Sequence, residues 1–331
     1  MLWQFPGPLA RDARRAHPGR HLALLSPVPR PLKIGVQLPE VERETRWSEL
    51  LDMTRAIEDL GYDSVWLGEH LLYRWPERAP RGPWEAWSML AAIAASTGRI
   101  EFGPLVACTA FHNPAVLAKQ AATIDEISGG RLILGLGAGW NETEFRAFGV
   151  PFDHRVDRFE EAFTIIRTLL QEGAIDFDGR FYQARDCELI PRGPRPSGPP
   201  LMIGSNGPRM LRIAVPHAQA WNTWFADIGN APDGVRPLRD AVDAACRDTG
   251  TDPAAIERTV AVLIRFPDGV GRIQGSYAEA PPPPLEGSPE QMADRMRAYA
   301  REGVSHIQLV IDPITRGSIE AFAPVLRLLD G

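Results

Sequence analysis

The sequence contains little lysine and little cysteine. Of its 36 basic residues all but Lys33 and Lys119 are arginines, which is most simply a bias toward GC-rich codons. The three cysteines lie far apart, so they form neither a CxxC pair nor a metal-like spacing. A reduced cytoplasmic setting fits this cysteine usage best. The cysteines are Cys108, Cys187 and Cys246.

Other absences argue against several classes of protein. No apolar run approaches the roughly 18 residues of a membrane span. The net charge of −6 does not provide the dense basic face that nucleic-acid phosphates require. The histidines show no HxH or HExxH spacing, and we expect no metal site. Since a GxSxG elbow and a P-loop are also absent, serine hydrolysis and P-loop phosphate binding have no support.

The first part of the chain differs from the rest. Residues 1–31 are rich in arginine and proline. A twin-arginine export signal at Arg14 and Arg15 is conceivable, but the apolar piece at residues 21–25 is shorter than an export signal needs. We interpret residues 1–31 as a disordered extension or an over-long start, and residues 32–331 as one domain.

Residues 32–331 alternate short apolar runs with amphipathic helical patterns. Eight such β–α units predict a (β/α)₈ TIM barrel with insertion segments, one of them a hairpin over Ile175–Tyr182. An open doubly wound sheet is the alternative, but no GxGxxG follows the first strand. The predicted strands are Lys33–Leu38, Asp63–Leu67, Ile100–Val106, Leu132–Leu136, Leu201–Ile203, Ala218–Trp221, Thr259–Arg265 and His306–Ile311.

Active sites of such barrels lie where the strands end, so these positions carry the candidate chemistry. After the second strand stands His70, which is placed to touch a bound ring and to move protons, or else only bonds a loop carbonyl. Tyr73, Trp75 and Trp84 could line an apolar mouth or simply pack the loop. We expect Cys108 not to be a catalytic thiolate, because no base has a motif-like relation to it.

Two glycine-rich turns follow later strands. The turn Gly135–Glu142 has three glycines that allow close backbone approach, with Trp140 and Asn141 for stacking and hydrogen bonding. The turn Gly204–Arg209 opens a helix, where Ser205, Asn206 and backbone amides suit a phosphate. The plainer interpretation is that Ser205 or Asn206 caps that helix.

Four stretches together resemble the bacterial luciferase-like flavin oxidoreductases. They cover GYDSVWLGEH at residues 61–70, residues 99–140 with SGGRLILGLGAGW, residues 141–163, and PPLMIGSNGPRMLRIA at residues 199–214. The resemblance spans roughly residues 32–331, although the last hundred residues match only in outline. It implies a TIM barrel with a cofactor ring across its mouth, and often a homodimer packed through early helices.

The resemblance also implies roles for individual residues. A non-proline cis peptide is common among relatives in strand three, which places it here near Pro104–Val106. Ala107 stands where threonine or asparagine is frequent, and His112 where arginine is common. The implied catalytic residues are His70 and Trp140. The implied cofactor-binding residues are Gln37, His70, Ala107, Gly139, Trp140, Asn141, Gly204, Ser205, Asn206 and Gly207, with Gly204, Ser205 and Asn206 at the cofactor phosphate.

Members of this family use reduced FMN with oxygen, or the deazaflavin coenzyme F420 for hydride transfer. FMN users often carry a tyrosine after the arginine of the long helix, whereas this chain has Arg158-Phe159. The overall pattern favours an F420-dependent oxidoreductase acting on a small organic molecule, with His70 handling the proton. The alternatives are an FMN-dependent monooxygenase, and a non-catalytic flavin-binding protein. A separate flavin or F420 reductase is a further expected partner.

Overall fold

The computed structural model describes residues 30–75, 79–270 and 282–331. All statements below on strands, helices and contacts concern these residues. The β-strands form at the apolar, β-branched runs of the sequence. In chain order they are β1 Lys33–Gln37, β2 Ser64–Leu67, β3 Glu101–Pro104, β4 Ala107–Cys108, β5 Leu134–Gly137, β6 Ala174–Asp178, β7 Gln183–Glu188, β8 Leu201–Gly204, β9 Ala220–Thr223, β10 Glu257–Arg265 and β11 Val304–Asp312.

Several of the helices begin or end at recognisable capping residues. Asn113 accepts hydrogen bonds from Ala115 N and Val116 N at the start of the third helix, which ends at the left-handed Gly129. Ser288 and Gln291 form a capping box on the eighth. The helices are α1 Trp47–Asp59, α2 Ala86–Ser96, α3 Pro114–Ser128, α4 Glu142–Phe148, α5 Arg155–Gln171, α6 Pro208–Ala214, α7 Val235–Thr249, α8 Pro289–Arg301 and α9 Arg316–Asp330.

The main sheet is parallel and closes on itself. Its strands follow the order β3-β2-β1-β11-β10-β9-β8-β5-β4. Its two ends join because Ala107 of β4 pairs with Leu136 of β5, and Phe102 of β3 bridges to Leu132. β3 and β4 together occupy one barrel position, so eight strand positions surround the axis. The predicted TIM barrel is confirmed, and the open doubly wound sheet is excluded.

The sequence predicts one continuous strand over Ile100–Val106, but the structure divides this region into β3 and β4. Leu105 and Val106 lie between the two strands, and the peptide that joins them is cis. The non-proline cis bond therefore stands where the family resemblance places it. It lies directly before Ala107, at the end of the barrel where β4 terminates.

Several sequence-based boundaries need comment. The predicted hairpin is present as the antiparallel pair β6 and β7. The sequence pattern predicts a second helix over Trp84–Ser96, but α2 begins at Ala86, because Glu85 is its N-cap and accepts from Trp87 N and Ser88 N. Most of the predicted extension, residues 1–29, lies outside the described residues. The four consecutive prolines at 281–284 also predict a surface insertion over Phe266–Leu285, of which residues 271–281 lie outside the described residues. No described helix combines the length and apolar character needed to cross a membrane.

Candidate active site

The candidate site occupies the barrel rim where the strands end. Gln37 is the last residue of β1, and His70 follows β2 by three residues. Ala107 begins β4, Gly139 follows β5, and the turn at residues 204–207 begins with the last residue of β8. Because the barrel strands are parallel, all these segments lie at the same end of the barrel. The sequence-based expectation that the His70 and Ser205 loops share one end is confirmed.

His70 lies between two buried carboxylates. Its Nδ1 donates to Glu144 Oε1 at 2.9 Å, and its Nε2 lies 3.6 Å from Glu40 Oε1. Burial by itself lowers the pKa of His70, but the negative charges of Glu40 and Glu144 outweigh it, so the pKa is raised. The imidazole is therefore poised to hold a positive charge at the barrel mouth.

Both carboxylates are fixed by further hydrogen bonds. Glu144 Oε2 accepts from Leu71 N at 2.8 Å, so this residue of α4 also holds the loop after β2. Glu40 Oε1 accepts from Tyr73 Oη at 2.7 Å, and its Oε2 accepts from Gln37 Nε2 at 2.9 Å. The two carboxylates thus tie the loops after β1, β2 and β5 into one polar cluster.

Aromatic rings surround His70. The ring centroid of Tyr73 lies 4.7 Å away and that of Trp140 lies 5.6 Å away. Trp75 stacks on Tyr73 and is buried, whereas Trp140 is 47% exposed. Trp140 therefore faces the open mouth beside His70, where a flat ligand or a substrate could contact it.

A third carboxylate organises the neighbouring loop. Glu69 Oε1 accepts from Trp87 Nε1 at 2.8 Å and from His112 Nε2 at 2.7 Å. Its Oε2 accepts from the backbone amide of Cys108 at 2.6 Å. His112, whose role the sequence leaves open, thus belongs to a network that fixes the backbone of β4 just after the cis peptide.

Cys108 is placed for packing. Burial raises the pKa of its thiol, which disfavours the thiolate that nucleophilic catalysis needs. Its Sγ would lie 2.6 Å from a Cβ placed on Gly139, and Phe145 would be equally close. Gly139 also has a φ of +74°, so the tight turn between β5 and α4 requires glycine at this position.

The side chain of Val106 forms a floor below the mouth. A Cβ on Gly137 or on Gly204 would approach its methyl carbons to 2.9 Å and 2.8 Å. These two glycines therefore make room for the Val106 side chain between β5 and β8. Nearby at the end of β1, Gln37 Oε1 is buried and has no hydrogen-bond partner among the described residues.

The turn at residues 204–207 leads into α6. The N-cap of α6 is Gly207, with no side-chain cap, so the interpretation of Ser205 or Asn206 as the helix cap is wrong. Ser205 Oγ instead accepts from Gly207 N at 3.3 Å. Asn206 Nδ2 donates to Thr223 and Asp227, whereas its Oδ1 is buried without a partner in the described part of the chain.

Sequence reasoning found His70 but did not identify Glu40 and Glu144. Glu40 follows β1 by three residues, and Glu144 is the third residue of α4, in its first turn. The signal for Glu40 was its position, since a carboxylate after a barrel strand belongs to the rim. Glu144 lies in a predicted helix, and no pattern in that helix distinguishes it from the neighbouring acidic Glu142.

An outer groove of about 590 Å³ lies beside the rim, between residues 39–45 and residues 79–89. Glu40 and Gly68 line it on the barrel side. Trp84 also lines this groove and donates through Nε1 to Thr45 O at 2.7 Å. Trp84 is therefore part of the outer groove, whereas Trp140 is the tryptophan beside His70.

Two further expectations concern the cofactor. Phe159 of α5 is fully buried and stacks on Phe163 with a centroid distance of 5.4 Å, so this position points into the core. Asn141, predicted to border the ring, donates through Nδ2 to Leu72 O at 3.0 Å.

No group of three or more potential metal ligands occurs within the described ranges.

The chain matches a family model and is similar in sequence to two named enzymes. The model of a family described as luciferase-like monooxygenase matches residues 32–267. The chain is 33% identical over 183 residues to a 5,10-methylenetetrahydromethanopterin reductase from Archaeoglobus fulgidus, covering 55% of this chain and 50% of the reductase. It is 30% identical over 247 residues to an F420-dependent glucose-6-phosphate dehydrogenase from Kineococcus radiotolerans, covering 71% and 68%. The chain thus spans only half the length of the reductase.

A solved structure shares the architecture. An F420-dependent secondary alcohol dehydrogenase in complex with an F420–acetone adduct superposes with a TM-score of 0.76. The match covers 90% of this chain and 99% of the dehydrogenase at 20% sequence identity. At this identity the likeness shows that the two proteins have the same fold.

Proposed function

Because the chain belongs to the luciferase-like monooxygenase family, we propose that it is an oxidoreductase that uses coenzyme F420 at the barrel mouth. The observation that carries this proposal is the position of His70, between two buried carboxylates and on the same rim as the turn at 204–207. The relative from Kineococcus radiotolerans, which is named as an F420-dependent dehydrogenase, supports the choice of cofactor. Phe159 of α5 does not bear on this choice, because its ring is buried in the core against Phe163.

The residues present fit a flat, polar cofactor with a phosphate. Gln37 Oε1 and Asn206 Oδ1 are buried acceptors without partners among the described residues, and a ligand could satisfy both. Gln37, Ala107, Gly139, Trp140 and Asn141 would hold the ring above Val106. Ala107 offers only its backbone to the ring. When bound, a deazaflavin supplies the hydride chemistry, and the protein supplies orientation and electrostatics.

The turn at residues 204–207 would hold the phosphate. No side chain caps α6, so the amides at its start remain directed toward the rim. Ser205 Oγ and Asn206 lie next to these amides. The nearby Arg209 is already paired with Asp157 and Glu160, so backbone dipoles rather than a guanidinium would bind the anion.

His70 would move the proton that accompanies each hydride. Its Nδ1 is engaged by Glu144, so Nε2 is the nitrogen directed to the reacting group. A raised pKa lets the imidazolium serve as a general acid at neutral pH, and its conjugate base serve in the reverse direction. Trp140 would cover the reacting face and exclude water from it.

The test is to titrate the purified protein with F420 and with FMN, and to follow fluorescence, absorbance and oxygen uptake. Binding of F420 with hydride transfer to or from an organic compound, without oxygen uptake, supports the proposal. Binding of reduced FMN with substrate-dependent oxygen uptake would replace it by a monooxygenase. Binding without turnover on any substrate would leave a flavin-binding protein.

We further propose a homodimer that packs through its early helices, in a reducing compartment. Val116 and Ile127 on α3 are 55% and 48% exposed, and their spacing along the helix places them on the same face. The three cysteines are free, as expected for reduced surroundings. Sedimentation of the wild type and of Val116→Glu tests the dimer, since the charge should dissociate it. A separate flavin or F420 reductase would be needed as a partner only if the enzyme consumes the reduced cofactor, because the reduced form must then be regenerated.

A further inference from the structure

Glu40 lies at the boundary between the candidate active site and the outer groove. On one side its Oε1 is 3.6 Å from His70 Nε2. On the other side Glu40 lines the groove together with Gly68. Its carboxylate packs closely on Gly68, because a Cβ placed there would lie 2.4 Å from Glu40 Oε2. Glu40 therefore contacts both His70 and the wall of a separate opening to solvent.

We propose that Glu40 relays protons between His70 and water in the outer groove. The proposal rests on the proposed function, since a proton must enter or leave with every hydride. In the oxidation of a substrate, the proton that accompanies the hydride accepted by a bound deazaflavin would form a bond to His70 Nε2. That proton then passes to Glu40 and on to water in the groove, and His70 returns to its neutral form. Reduction of a substrate runs the same path backwards.

The geometry explains why a separate path is needed. A flat cofactor and a substrate bound at the mouth would cover His70 and Trp140, and closure of the mouth excludes water there. The outer groove lies on the far side of Glu40 and forms a separate opening to solvent. The 3.6 Å distance is longer than a hydrogen bond, so transfer needs a small movement of the carboxylate or one bridging water.

Of the three carboxylates around His70, Glu40 both faces Nε2 and lines the groove, so it is the acceptor that connects the two. Glu144 is bound to His70 Nδ1 and to Leu71 N, so it anchors the far edge of the imidazole. Glu69 also raises the pKa of His70, but its oxygens accept from Trp87, His112 and Cys108. On the groove side Arg81 contacts the carbonyl oxygens of Val41 and Glu42.

Glu40→Gln is a suitable variant, because the surrounding bonds can adapt. The new amide would face Gln37 Nε2, but Gln37 can turn its amide and present Oε1, which has no partner now. Tyr73 can still donate to the remaining oxygen. Glu44→Gln is the matched control, since Glu44 lines the same groove but is exposed and paired with Arg46.

The first measurement uses the cofactor-free protein. NMR titration of His70 should show a lower pKa in Glu40→Gln than in wild type, because one of the charges that favours the imidazolium is gone. Glu44→Gln should leave that titration unchanged. An unchanged His70 titration in Glu40→Gln overturns the proposed coupling, whatever the enzyme does.

The second measurement uses the enzyme with F420 and its substrate. Glu40→Ala should lower turnover by about tenfold or more, and formate entering through the groove should restore part of it, as a lost acid–base group allows. Glu44→Ala should show neither effect. If His70→Ala abolishes turnover while Glu40→Ala retains it, the relay is wrong and the proposed function stands. If the wild-type enzyme transfers no hydride with F420, the proposed function is wrong, and the relay, which depends on it, is wrong as well.

Discussion

His70 Nδ1 and Glu144 Oε1 lie 2.9 Å apart, and this contact joins the loop after β2 to the first turn of α4. The same carboxylate accepts from Leu71 N, so Glu144 fixes both the ring and the backbone beside it. Glu144 is almost completely buried, and a carboxylate in such surroundings is tolerated because its oxygens are satisfied. The orientation of the candidate acid–base residue therefore depends on a residue from another loop.

We expect Glu144→Gln to destabilise the protein by about 1–3 kcal/mol, because the amide can satisfy only one of the two buried donors. The pKa of His70 should also fall, since a negative charge next to Nδ1 is removed. Denaturant unfolding and NMR titration measure the two effects. Glu142→Gln changes an exposed carboxylate in the same turn and should alter neither. A stable variant with normal His70 titration would contradict the assigned contact.

Replacement of His70 by alanine should reduce turnover far more than cofactor affinity. We expect a loss in turnover of about 10²–10⁴, the range typical of a removed acid–base group. The dissociation constant of the cofactor should change only slightly, because the ring and phosphate contacts come from other residues. His217→Gln is the control, as His217 follows α6 and lies outside the cluster. Unchanged turnover would remove His70 from the mechanism.

The turn between β5 and α4 should tolerate no side chain at Gly139. Gly139→Ala places a Cβ 2.6 Å from Cys108 Sγ, and the left-handed backbone adds strain. Gly149→Ala carries nearly the same backbone strain, with a φ of +72°, but its Cβ meets nothing within 4 Å. Gly139→Ala should therefore cost about 1–3 kcal/mol more than Gly149→Ala, as overpacking does. Equal losses in unfolding free energy would show that the turn has room.

The phosphate role of the turn at 204–207 predicts a selective loss of affinity. Ser205→Ala should weaken binding of a phosphate-bearing cofactor by about tenfold, or ~1.4 kcal/mol, because the Ser205 hydroxyl can donate to a phosphate while its oxygen accepts from Gly207 N. Binding of the same ring compound without its phosphate should not change. Fluorescence titrations of wild type and variant with both compounds separate the two cases. If affinity for both compounds falls equally, the turn contacts the ring or shapes the fold, and the phosphate lies elsewhere.

Sequence reasoning placed the elements well because each is determined locally. Asn113 and Pro114 mark the start of α3, and Gly129 marks its end, so capping chemistry alone positions it. The rim glycines were also visible as a motif. The two carboxylates that contact His70 were not visible in the sequence, because Glu40 and Glu144 lie 30 and 74 positions away from it along the chain. Such contacts depend on barrel closure, which no local pattern specifies.

His306 lies near the end of β11 that is opposite the candidate site. Its burial predicts how the free energy of unfolding changes with pH. It is fully buried, and its Nε2 lies 2.6 Å from Ser64 Oγ. Burial, with a smaller effect from the charge of Lys33, lowers the pKa of His306 to about 3. An unfolded chain would protonate the same ring near the ordinary value of about 6.5.

Between about pH 3 and about pH 6.5 the ring of His306 is protonated in the unfolded chain but neutral in the folded protein. The free energy of unfolding therefore falls as the pH drops below about 6.5. The loss from this one residue approaches ~1.4 kcal/mol per pH unit. His306→Gln can still bond Ser64 and should reduce the slope of unfolding free energy between pH 6.5 and 5, where few carboxylates titrate. His154→Gln, which changes a half-exposed histidine, should keep the slope of the wild type. If His306→Gln also keeps that slope, another buried group must bind the proton on unfolding.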